Sequence, residues 1–133
     1  MSKHMRLAVL IAASFLAGAA GAEPLPPTAK QATMQEFKAF ADGKPVDVVI
    51  YDLGVPLKAT LTWNWKKKRI TGDALVNRKD KIKVDSKLSF KSDMACAEQA
   101  DGEPTCHLIF IDGDRFYEVR PDGRLHATST LKK

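Results

Sequence analysis

Two cysteines, two histidines and a set of Asp-Gly pairs are the residues here whose types could do chemistry. His107 and His126 are the histidines left once the first 22 residues are set aside. A catalytic dyad would need a nucleophile within hydrogen-bond reach of one of them. The chain has no G-x-S-x-G and no H-E-x-x-H signature. Both histidines are therefore read as rim residues on strand faces opposite the apolar side, and no catalytic residue is assigned. Cys96 and Cys106 enclose a polar, turn-rich segment, which predicts a hairpin or loop bridged by a disulfide. In the loop-entropy model such a short closure contributes roughly 2 to 3 kcal/mol. Two thiols and the adjacent His107 make an incomplete zinc set, so no metal and no cofactor are expected. Asp112-Gly113-Asp114 has the opening of a calcium loop, but Phe116 occupies the next ligand position and no glycine sits at the sixth. Asp-Gly is also a favoured hairpin turn, and a turn is the reading adopted.

Two larger constellations remain. Lys81, Lys83, Lys87 and Lys91 alternate along one stretch, with Lys66, Lys67, Lys68 and Arg69 close by in sequence. One reading is a cationic surface for an anionic envelope partner, a glycan or lipid phosphate. The other is a solvated strand face that blocks edge-to-edge aggregation; the interleaved Asp73, Asp80 and Asp85 dilute the field. The aromatic set is Trp63, Trp65, Phe90, Phe110, Phe116 and Tyr117. In a small barrel these residues could line a ligand cavity or simply fill the interior.

The elements that must hold these residues are mostly strands. From Leu57 to Trp65 every odd position is apolar and every even one polar. From Lys81 to Lys91 the even positions carry Ile82, Val84, Leu88 and Phe90. Period two is the mark of a half-buried antiparallel strand. Further strands are predicted at 46–52, 70–76, 94–97, 106–111, 115–120 and 125–130. Asp52-Leu53-Gly54, Asn77-Arg78, Asp112-Gly113 and Asp122-Gly123 supply the turns. One helix is predicted over 34–41, opened by the capping box Thr33-x-x-Glu36 and stopped at Gly43. The fold class is thus mainly β, an antiparallel meander barrel or sandwich of seven to eight strands with one short N-terminal amphipathic helix.

The ends set the context. Lys3 and Arg6 precede an uncharged run from Leu7 to Ala22 that closes on Ala20-Gly21-Ala22. This is the order of a cleavable signal peptide, and at 16 residues the run is short of the roughly 18 to 20 that cross a bilayer. Residues 23–32, with Pro24, Pro26 and Pro27, are expected to be a poorly ordered leader, and 33–133 a single domain. The net charge is +5, and loss of 1–22 removes Lys3 and Arg6 to leave +3. That is too weak for a nucleic-acid partner.

Cys96, Cys106, Asp112-Gly113-Asp114, Phe116 and Asp122-Gly123 together resemble a family of small secreted proteobacterial β-domains of the lipocalin-like, β-meander type. The resemblance implies a secreted β-meander domain and assigns no site residues. The export signal, the β-meander and the missing catalytic signatures give the expected function as a non-enzymatic periplasmic or secreted binding domain for an anionic envelope component, with an envelope protein, a glycan or a lipid as candidate partners. The alternatives are a lipocalin-like carrier of a small apolar molecule and a hydrolase inhibitor.

Overall fold

The capping box predicted for the helix forms in full. In the computed structural model the Thr33 hydroxyl accepts from the Glu36 amide at 3.1 Å, and the Glu36 carboxylate accepts from the Thr33 amide at 2.8 Å. Helix α1 spans Met34–Ala41, and Gly43 follows at φ +74°, a conformation that suits glycine. The structure describes residues 25–133 except 56 and 99–101. The signal-peptide reading, on 1–22, lies outside the described residues.

Among the described residues nine strands surround the helix in sequence: β1 Lys30–Gln31, β2 Pro45–Ile50, β3 Leu57–Asn64, β4 Arg69–Val76, β5 Asp80–Lys91, β6 Met94–Glu98, β7 Pro104–Asp112, β8 Arg115–Val119 and β9 Leu125–Leu131. From β2 to β7 each strand pairs with the next, β9 returns to pair with β2, and β7–β8 pairing closes the ring. The result is a closed antiparallel barrel of eight strands, with β1 as a two-residue addition to β7. Closure removes the free edges that an open sheet of this length would expose. Lys30 and Gln31, expected within the loose leader, are instead paired to Ile111 and Phe110, and Ala32 behind them is buried.

The period-two faces fall as the alternation requires. Val46, Val48, Ala59, Trp63, Ile70, Ala74, Leu88, Ala95, Ile109, Phe116 and Ala127 share one apolar core with Phe37 and Ala41 of α1. The aromatic centre is edge-to-face: Phe37 meets Trp63, Trp65 and Phe116 at 5.0, 5.1 and 4.7 Å between ring centroids. Such pairs add stability beyond the area they bury. Gly72 faces this side opposite Leu61, and a Cβ there would lie 2.0 Å from the Thr60 carbonyl oxygen. β3 and β4 can approach this closely only because the side chain is missing.

Candidate functional site

The polar face of the sheet is ordered by strand register into two rows. On the first, Lys81 lies opposite Leu75, Leu75 opposite Lys58, Lys58 opposite Val49, Val49 opposite Thr128, and Thr128 opposite Tyr117. On the second, Lys83, Asp73, Thr60, Asp47, Thr130 and Arg115 follow in the same way. Directly opposed side chains sit about 5 Å apart, so each row is a continuous band across six strands. Together, Lys83 excepted, they line a cleft of about 690 Å³ that also takes in Tyr51 and Pro26.

The two rows differ in chemistry. The second largely neutralises itself: the Thr60 hydroxyl donates to Asp47 at 3.0 Å, Lys132 approaches Asp47 at 3.6 Å, and Lys83 is opposed by Asp73. The first alternates cation and hydrocarbon. Val49 and Leu75 are 36% and 38% exposed, apolar side chains on an otherwise polar face. Among the described residues no acid lies within ion-pair distance of Lys58 or Lys81. The Tyr51 hydroxyl donates to Thr128 Oγ1 at 3.1 Å, which braces the band's hydroxyl-bearing end.

The predicted lysine surface is divided among four places. Lys81 enters the cleft just described. Lys83 and Lys87 join Arg69, whose guanidinium is paired with Asp85 at 2.8 Å, in a separate shallow groove. Lys91 lines a third hollow, beside the histidines. Lys66, Lys67 and Lys68 occupy the turn after β3, where Lys68 lies 5.8 Å over the Phe90 ring. The cause is the length of β5: at about 3.3 Å per residue, Lys81 and Lys91 stand roughly 33 Å apart on a twisting strand.

The predicted aromatic cavity is not formed as a unit. Trp63, Trp65 and Phe116 are buried around Phe37, and Phe90 stacks on Trp65 at 5.5 Å. Phe110 and Tyr117 pair across β7 and β8 on the opposite face, and of the six only Tyr117 reaches the cleft. Cys96 and Cys106 are directly opposed on β6 and β7 and form the expected disulfide.

The histidines differ most from expectation. His107 shares a face with Ala95 and Ile109, not the opposite one, and is 4% exposed. Glu118, opposite Ile109 on β8, brings its Oε2 to 3.6 Å from His107 Nδ1. The β8–β9 register shifts between Glu118, paired with Ala127, and Val119, paired with Leu125. His126 is the extra residue of that bulge, and a bulge re-aims its side chain. Its ring lies parallel to His107, centroids 4.1 Å apart and planes within 9°. His126 Nδ1 meets Asp52 at 2.5 Å, and Asp52 meets Arg120 at 3.5 Å.

Burial is the main influence on both inner groups. It pushes the Glu118 carboxyl up to about 7, with the Asp52 charge adding to the rise and His126 opposing it. It holds the His107 imidazole down to about 4, with His126 and Arg120 lowering it further and Asp52 opposing. Near pH 6 both partners are thus neutral, and their 3.6 Å contact is not an ion pair.

Fold and sites together define a closed antiparallel barrel with a cationic-apolar cleft on one face and a buried histidine–carboxylate cluster. Compared with protein-family models, curated proteins and solved structures, the chain matches none.

Proposed function

We propose that the domain is a non-enzymatic exported binding module that holds an anionic amphiphile, such as a lipid of the cell envelope, in the cleft between the two rows. The observation that carries this reading is the row Lys81–Leu75–Lys58–Val49–Thr128–Tyr117. An acyl chain would lie on Leu75, Val49 and the Tyr117 ring, and its anionic head would meet Lys58 and Lys81, cations with no acid within ion-pair distance among the described residues. Arg115 offers a further positive group at the far side of the cleft. The reading joins the anionic-partner and apolar-carrier expectations in one place. The disulfide supports export, since such bonds persist in oxidising compartments.

Titration calorimetry with two short-chain lipids separates charge from hydrocarbon. Dihexanoyl phosphatidylglycerol, below its micelle concentration, is expected to bind; dihexanoyl phosphatidylcholine, with the same tails, is expected to bind at least ~10-fold more weakly, about 1.4 kcal/mol. Replacing Lys58 and Lys81 together by Ala is expected to erase the difference. Equal binding of both lipids by the unaltered protein would overturn the proposal.

A further inference from the structure

The histidine cluster lies apart from the cleft and has a different chemistry. We infer that His107, His126 and Glu118 form a binding site for a late first-row divalent metal ion such as Zn²⁺. Each residue offers one ligand atom, and the three atoms lie within 4.8 Å of one another. Donors bound at 2.0–2.2 Å to one tetrahedral ion are roughly 3.4 Å apart, so the set needs to contract by at most about 1.4 Å. Two imidazoles and one carboxylate suit zinc and its neighbours, not magnesium or calcium, which prefer all-oxygen sites.

Three further observations point the same way. His126 is held through Nδ1 by Asp52 at 2.5 Å, which leaves Nε2 as the nitrogen with a free lone pair. A carboxylate behind a ligating histidine is the usual outer support of a zinc site. Glu118 is largely buried, and among the described residues no hydrogen-bond donor reaches its carboxylate. A bound dication would compensate the charge of the buried carboxylate. Finally, the cluster opens on a hollow of about 520 Å³ bounded by Asp52, Met94, Pro104, Arg120 and the two histidines. An ion can enter there, and a fourth position is left for water.

The parallel stack dictates one movement. An imidazole binds metal in its own ring plane, and two parallel rings 4.1 Å apart share no such point. His126 is tethered to Asp52, whereas His107 lies 3.6 Å from Glu118 without a hydrogen bond. His107 is therefore the ring that tilts, and metal uptake breaks the stack. Arg120 and Lys91 are opposing charges on the same hollow, and Arg120 is engaged by Asp52 at 3.5 Å and Asp122 at 3.2 Å.

The test is titration of untagged, disulfide-intact protein with Zn²⁺ at pH 7.5, with Mg²⁺ as control, read by calorimetry and by imidazole NMR signals. One Zn²⁺ per chain is expected to bind, the ring signals of both His107 and His126 are expected to shift, and Mg²⁺ is expected to do neither. Glu118→Gln and His126→Asn are each expected to weaken binding ~10-fold or more, and Asp52→Asn, outside the ligand set, by roughly 10- to 100-fold. Circular dichroism of each metal-free variant checks that it folds; the exposed Asp52 change keeps the test open should a core variant fail. Absence of Zn²⁺ binding, or binding unaltered in Asp52→Asn and Glu118→Gln, would overturn the site.

Discussion

Ser129 is fully buried on β9, and its hydroxyl has no hydrogen-bond partner among the described residues. An unmade buried hydrogen bond costs about 1–3 kcal/mol, so Ser129→Ala is expected to stabilise the fold by ~1 kcal/mol in urea unfolding. The Glu118–His107 pair gives a second residue-scale expectation. Glu118 is raised from its ordinary 4.5 to about 7. Between those values the folded chain keeps a proton that the unfolded chain has released, so this group makes stability fall as pH rises. His107 is lowered from 6.5 to about 4; there the unfolded chain holds the extra proton, and stability rises with pH. The opposed slopes, each at most about 1.4 kcal/mol per pH unit, largely cancel between pH ~4.5 and 6.5. In a chelator, Glu118→Gln is expected to climb in stability across that window and to exceed the unaltered protein at pH 8. A profile identical to that of the unaltered protein would show that Glu118 titrates normally. None of this was legible beforehand: His107-Leu108-Ile109-Phe110-Ile111 is apolar on both phases, so the alternation could not say which way His107 faces. The bulge that turns His126 towards it left no sequence mark.

Elements were read more surely than residues, for a physical reason. Helix α1 and strands β3 and β5 each have one dry and one wet face, so periodicity alone fixes their type and orientation. β7 is covered on both faces, by the core on one side and by the Phe110–Tyr117 pair on the other, and its phase was hidden. The lysines of β5 were correctly placed on one face but not at one place, because periodicity carries no information about length and twist. Val49 and Leu75 did leave a signal: apolar residues at positions where their neighbours on the same face are polar. The β3–β4 contact yields the sharpest element-scale expectation. Gly72→Ala would set a Cβ against the Thr60 carbonyl oxygen, backbone against which nothing can rotate away. The change is expected to cost roughly 3 kcal/mol or more, seen as a large drop in melting temperature; an unchanged melting temperature would mean the strands can part without loss.

At the scale of the whole molecule, ring closure makes the function arguable. The cleft draws residues from β2, β3, β4, β5, β8 and β9, which are neighbours only because β9 returns to β2. Sequence pattern gives the faces of each strand but not the order of the strands, so Lys58, Tyr51 and Arg115 could not be joined to Lys81 in advance. The β7–β8 hairpin brings His107 to Glu118, and the return of β9 beside β8 adds His126. The core that supports both sites converges on one ring, Phe37, which touches Trp63, Trp65 and Phe116. The most direct measurement is a backbone amide NMR map of the protein titrated with dihexanoyl phosphatidylglycerol. The account predicts that the largest shifts fall on Val49, Lys58, Leu75, Lys81, Tyr117 and Thr128, across six strands on one face. Shifts centred instead on the Lys66–Arg69 turn and on Lys83 and Lys87, with that row silent, would contradict it.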